Sequence, residues 1–192
     1  MENSLFVFAI EQESADKFDD CSLLFTGIGK VQACLALTRR LTEKKPSVVI
    51  NLGTAGAKDF SPGEIVNAVS FVQRDMDATG LGFDMFQTPF SDLDPKLDVG
   101  ISVPHLPQVV CGSGDNFSVS DDFGKGFYDI VDMEAYALAH VCDQLNVPFL
   151  CLKYISDGAD GEAHIDWNEA LQKTAVALRR EIDGIDLKQY LI

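Results

Sequence analysis

At 192 residues, 46% of them hydrophobic, the chain is long enough to bury one substantial core. Its net charge of −15 excludes the basic stripe that a phosphate backbone requires and sets the protein against anionic membranes, so neither nucleic acid nor a membrane is an expected partner. The five cysteines are odd in number and lack CxxC spacing, which points to buried thiols in a reducing cytoplasm rather than to disulfides.

The start Met1-Glu2-Asn3-Ser4 is acidic and its apolar run stops at Ile10, too short for a signal core or a membrane span. Leu5 to Ile10 and Leu23 to Thr26 read as strands. Gly27-Ile28-Gly29 then opens a helical pattern with Val31, Cys34, Leu35 and Leu41 on the apolar face. Val48 to Ile50 is a buried strand type running into the small residues Gly53-Thr54-Ala55-Gly56-Ala57, a stretch that lets a ligand approach the backbone closely. Glu64 to Val72 is a further strand, whereas residues 74–107 show no sustained period and read as loop. Val109 to Cys111 leads into Gly112-Ser113-Gly114-Asp115-Asn116-Phe117, again small residues at a strand end. A strand at Asp129 to Asp132 feeds a helix from Met133 to about Leu145, with Pro148 beyond its end. The apolar run Val147 to Leu152 precedes a polar, glycine-bearing loop, Tyr154-Ile155-Ser156-Asp157-Gly158-Ala159-Asp160. A last helix begins near Trp167, with Asp166 as N-cap, Glu169 three residues on, and Leu171, Ala175, Leu178 and Ile182 inside. With no linker or internal repeat, residues 1–192 read as a single α/β domain, its central sheet mostly parallel or mixed and flanked by helices.

In open α/β folds ligands bind outside the carboxyl ends of the strands. Glu13, Glu134 and Asp157 each follow a predicted strand, so three carboxylates are expected to face one crevice. His105, His140 and His164 lack metal-ligand spacing, there is no GxSxG elbow, and Gly27-Ile28-Gly29 is neither a P-loop nor a full GxGxxG. Carboxylates flanking a bond, with aromatics nearby, suit cleavage at an anomeric carbon: one acid helps the leaving group depart and another orients water toward an oxocarbenium-like centre. No metal or cofactor is called for.

Seven segments in order carry a resemblance: Ala9-Ile10-Glu11-Gln12-Glu13, Thr26 to Val31, Asn51 to Gly56, Arg74 with Asp75 to Asp77, Ser113 to Phe117, Val131 to Ala135, and Ile155 to Asp160. Together they resemble the nucleoside phosphorylase superfamily, and most closely its bacterial 5′-methylthioadenosine/S-adenosylhomocysteine nucleosidases. The resemblance implies that fold, a homodimer, and N-glycosidic hydrolysis releasing adenine. It makes Glu13 the acid that activates water and Asp157 the donor to purine N7, with Ser156 orienting the Asp157 carboxyl. Glu134 becomes the acceptor of the ribose hydroxyls, Met133 a sugar contact, and Thr54-Ala55-Gly56 the lining of the sugar and water site. Phe117, Ser118 and Trp167 fall at positions that hold the purine.

The chain also departs from that pattern. The interval between the first strand and Thr26 is short, as is the region from Gly80 to Gln108. Asp132 stands where the family commonly has glutamate, Lys153 where it has arginine, Ile10 where it has methionine and Trp167 where it has phenylalanine. Simpler roles stay open for several residues: Glu13 and Glu134 as helix-start acids, Asp157 as a turn residue, Trp167 and Phe117 as core anchors, and Arg74 as an ion-pair partner of Asp75 or Asp77. Glu11 and Glu13 would repel a phosphate, which favours hydrolysis over phosphorolysis. A non-catalytic nucleoside-binding protein on the same fold is the third reading. Met85, Phe86 and Phe90, apolar in a poorly periodic region, are expected to be covered by a second subunit.

Overall fold

The computed structural model describes residues 3–116, 126–158 and 163–190, of which 163–170, 172 and 190 as backbone only. The strands are β1 (Ser4–Phe8), β2 (Leu23–Phe25), β3 (Val48–Ala57), β4 (Ile65–Gln73), β5 (Lys96–Leu97), β6 (Gln108–Ser113), β7 (Ile130–Asp132) and β8 (Phe149–Asp157). The helices are α1 (Glu11–Ser14), α2 (Lys30–Glu43), α3 (Ala135–Gln144) and α4 (Ala163–Gly184).

All eight strands belong to one mixed sheet ordered β2-β1-β3-β7-β6-β4-β5, with β8 bridging β3 and β4. That bridge closes β3, β7, β6, β4 and β8 into a ring of paired strands, while β2 and β1 extend one side of it. β1 and β8 both run parallel to β3. Their carboxyl ends, which carry Glu13 and Asp157, therefore open on the same side. β7 runs antiparallel to β3 but pairs with its last residues, Gly56 and Ala57, so the turn after β7 reaches the same place.

Two apolar clusters hold the layers together. On one face, α2 and α3 cover the sheet with Leu37, Leu41, Leu138 and Val141 against Val49, Phe71 and Phe149. On the other, Leu178 and Ile182 of α4 pack with Phe6, Phe8, Phe18 and Leu152. Buried Asn67 of β4 accepts from Val103 N at 2.7 Å and donates to the carbonyls of Ile101 and Cys151 at 3.1 Å, stitching an irregular segment to the strands.

Several expected boundaries move. β3 and β8 continue through the small-residue and polar stretches that read as loops, because both flanking strands supply backbone partners up to Gly56 and Asp157. Asp157 thus ends a strand rather than sitting in a loop. α3 starts at Ala135, two residues later than expected, and α4 starts at Ala163, which removes Asp166 from the N-cap position. The face of α2 also differs. The helix buries Ala33, Leu37 and Leu41 and leaves Val31 and Leu35 on the outside. Within 74–107 only a 3-10 turn at Thr79–Leu81 and the two residues of β5 are regular.

Candidate active site

The strand ends surround a cleft of about 240 Å³ lined by Ala9, Ile10, Glu13, Ile28, Thr54, Ala55, Gly56, Arg74, Asn116, Val131, Asp132, Met133, Glu134, Ser156 and Asp157. All three expected carboxylates line it, together with Ser156, Met133 and the Thr54-Ala55-Gly56 stretch. Phe117 and Ser118 lie outside the described residues, as does the side chain of Trp167.

Glu13 is presented by α1, one turn of helix immediately after β1 that ends at Ala15 in the left-handed conformation, φ 41°. Its buried carboxylate accepts from Thr54 N at 3.0 Å and Thr54 Oγ1 at 3.1 Å through Oε1, and from Ala9 N at 3.2 Å through Oε2. Three donors, one from Ala9 just past β1 and two from Thr54 of β3, fix where it points. Gly53 makes room for it: a Cβ there would lie 2.9 Å from Glu13 Oε1.

Asp157 is the last residue of β8 and is buried. The Ser156 hydroxyl donates to its Oδ2 at 2.6 Å, with the Ala55 carbonyl a more distant alternative acceptor at 3.4 Å. The serine therefore orients the acid from its own strand.

Glu134 occupies the N-cap position of α3 with non-helical backbone, φ −132° and ψ −35°. Its side chain turns from its own helix to α2 and accepts from Gly29 N at 2.8 Å. Burial pushes the Glu134 carboxyl up to about 8; Asp132 adds to the rise, and Lys153 and the Gly29 N–H oppose it. A carboxyl so placed exchanges a proton near neutrality.

The α2 N-terminus is an anion seat by geometry, since the first amides of a helix have no partners within it. Here the chain's own carboxylates fill it. Glu134 takes Gly29 N, Asp115 takes Lys30 N at 2.8 Å, and the Lys30 ammonium pairs with Asp75, which also accepts from Asp115 N at 2.9 Å. This clasp was not legible in the sequence: Lys30, Asp75 and Asp115 come from three separate segments.

Arg74 does not pair with Asp75 or Asp77 as expected. Lys30 has taken Asp75, and Asp77 accepts from Thr79. The guanidinium instead lies against Gly114, donates to Asn116 Oδ1 at 2.9 Å and also contacts the Asn116 carbonyl, bracing the turn that leads to Phe117. Among the described residues no group of three or more His, Cys, Asp or Glu side chains is gathered as a metal would need.

The model of the phosphorylase superfamily matches residues 12–185. A 5′-methylthioadenosine/S-adenosylhomocysteine nucleosidase of Staphylococcus aureus strain bovine RF122 / ET3-1 is 33% identical over 178 residues, covering 83% of this chain and 78% of the relative. The nucleosidase of the same name from Neisseria meningitidis, solved with methylthio-immucillin-A, superposes with a TM-score of 0.81 at 26% identity, over 95% of this chain and 97% of that one. Futalosine hydrolase of Helicobacter pylori strain 26695 has the same fold, with a TM-score of 0.84 at 22% identity over 94% and 95% of the two chains. With the family model spanning nearly the whole sheet and all three carboxylates, the chain belongs to the phosphorylase superfamily.

Proposed function

We propose that this protein is a purine nucleosidase that hydrolyses the N-glycosidic bond of 5′-modified adenosines, of the methylthioadenosine or S-adenosylhomocysteine type, to adenine and the ribose derivative. The observation that carries the reading is what surrounds the anomeric side of the cleft. Glu13, held by Thr54 and Ala9, is an acceptor suited to a water proton. The α2 amides that would hold a phosphate are engaged by Glu134 and Asp115. The acceptor at Glu13 and the occupied amides of α2 support attack by water rather than by phosphate.

In this mechanism the nucleoside lies with its ribose hydroxyls on Glu134 and its purine edge on Asp157. Asp157 donates a proton to N7, so the base departs neutral, while Glu13 takes a proton from the water that attacks C1′. Asp157 stands buried at the end of β8, its carboxyl oriented by the Ser156 hydroxyl. Thr54, Ala55, Gly56 and Met133 line the sugar, and Phe117, Ser118 and Trp167 are assigned to the purine by family resemblance. No metal or cofactor takes part.

The protein is further proposed to work in the cytoplasm as a homodimer. Val31 and Leu35 are exposed apolar residues of α2, and Met85 and Phe90 are exposed on either side of Phe86 in sequence. Cover by a second subunit would remove these apolar side chains from water.

The deciding experiment is a panel of adenine and hypoxanthine nucleosides, with and without 5′ substituents, assayed in the presence and absence of phosphate. Adenine and free ribose derivative released without phosphate are expected. A requirement for phosphate, with ribose 1-phosphate as product, would replace the hydrolase by a phosphorylase.

A further inference from the structure

At the wall of the cleft lies a charge pair that the chemistry above leaves unused. Lys153 of β8 and Asp132 of β7 are both buried, and Lys153 Nζ sits 2.8 Å from Asp132 Oδ2. β7 pairs with β3 and β6, and β8 with β3 and β4, so the two strands are not neighbours. The ion pair therefore crosses the inside of the strand ring. Burying two ions is often no more stabilising than a well-packed apolar pair of equal volume. Stability alone does not account for it.

Asp132 does more than pair with Lys153. Its Oδ2 also accepts from Ala135 N at 2.9 Å, and its Oδ1 accepts from the Ser113 hydroxyl, whose oxygen accepts from Tyr136 N at 2.8 Å. These bonds satisfy the first amides of α3, which no helical partner reaches. Between Asp132 and Ala135 lie Met133 and Glu134, both lining the cleft. Lys153, at the other end of the ion pair, precedes Ser156 and Asp157 on the same strand.

We propose that Asp132 and Lys153 are positioning residues for the sugar-facing carboxylate: their ion pair pins the 132–135 turn, which carries Met133 and Glu134, to the strand bearing Ser156 and Asp157. The consequence for binding rests on the reading of Glu134 as the ribose acceptor; the placement of the turn does not. The groups that act on Glu134 come from four elements. Lys153 of β8 and the Gly29 N–H before α2 favour its ionised form, while Asp132 of β7 and Glu13 of α1 oppose it.

Lys153→Met and Asp132→Asn test this, because they remove charges of opposite sign. The titration of Glu134 is followed by carbon-13 NMR of protein labelled at glutamate carboxyl carbons, with the resonance assigned by Glu134→Gln. Lys153→Met should raise the midpoint and Asp132→Asn should lower it, each by about one unit, a tenfold change in the protonation equilibrium. Midpoints that stay at the parental value in both variants would overturn the proposal. Should Lys153→Met fail to fold because Asp132 is left uncompensated, the double variant buries neither charge. It should fold and raise KM for 5′-methylthioadenosine about tenfold, with kcat less affected; parental KM would overturn the proposal equally. Opposite titration shifts in a protein that turns over no nucleoside would support the pair and refute the nucleosidase reading.

Discussion

Gly53→Ala isolates the placement of Glu13 from its chemistry. Gly53 lies within β3 and is not among the positive-φ glycines, so alanine fits its backbone. The added Cβ would stand 2.9 Å from Glu13 Oε1 and 3.4 Å from its Cδ. Ordinary contact begins at about 3.5 Å, so the carboxylate must retreat by ~0.5 Å. Its bonds to Thr54 N and Oγ1, at 3.0 and 3.1 Å, then stretch to the limit of useful geometry. A misplacement of ~1 Å can cost ~10²-fold in rate, so a loss of ~10-fold or more in kcat is expected, with KM little changed. Stability should move far less. Replacing glycine by alanine at a compatible site gains about 0.4–1 kcal/mol through the unfolded state, which partly offsets the weakened bonds, and Tm should stay within roughly 4 °C. Steady-state kinetics and thermal denaturation of Gly53→Ala, Glu13→Gln and the double variant form a cycle. Because both changes act on the same water, the double should be little worse than Glu13→Gln alone. Parental kcat in Gly53→Ala, or two losses that simply multiply, would refute the assignment of Glu13.

Asp157→Asn keeps shape and hydrogen bonding but has no proton to give; kcat should fall about 10²- to 10⁴-fold with nucleoside affinity less affected, and a near-parental kcat would remove Asp157 from the chemistry. Glu134, pushed up to about 8 in the folded chain against an ordinary 4.5, holds a proton that the unfolded chain has released between those values. Its contribution to stability is therefore fully present below about pH 4.5 and lost as pH rises through about 8. Denaturant titrations from pH 5 to 9 should show that decline in the parent and not in Glu134→Gln. If Glu134 accepts the ribose hydroxyls, Glu134→Gln should also weaken nucleoside binding, and a 2′-deoxy substrate should narrow the gap between variant and parent; independent effects would leave Glu134 a helix-start acid. Light scattering at micromolar concentration should find a dimer rather than only the 21.0 kDa chain, and Val31→Lys with Leu35→Lys should shift it toward monomer.

Much of the fold was legible because its strands are short apolar runs and α3 and α4 have clear helical periods. The errors share a cause. Gly53 to Ala57 and Tyr154 to Asp157 read as loops from small and polar residues, yet each strand continues because the other supplies its backbone partners, register by register from Gly53–Lys153 to Gly56–Asp157. Pairing between residues a hundred positions apart overrides local composition. The exposed stripe on α2 has a related origin: Val31 and Leu35 fit a helical period as well as Ala33 and Leu37 do, and only the docked sheet decides which row is buried.

The site was legible as a set of carboxylates and not as an electrostatic arrangement. Glu13, Glu134 and Asp157 could be named because each follows a strand end within an ordered run of motifs. What distinguishes a water site from a phosphate site is where those carboxylates point, and that depends on contacts between distant segments. Glu134 is a plausible helix-start acid from sequence, since its backbone does cap α3. Its side chain nevertheless crosses to α2 and takes an amide there, beside the one held by Asp115. Lys30, one residue after Gly29, lends its amide to Asp115 and its ammonium to Asp75, so the lone basic residue of that turn is itself neutralised. An incoming phosphate would have to displace two carboxylates to reach the helix. A nucleoside whose ribose hydroxyls donate to Glu134 needs no such exchange, because the carboxylate can keep the Gly29 N–H while accepting from the sugar.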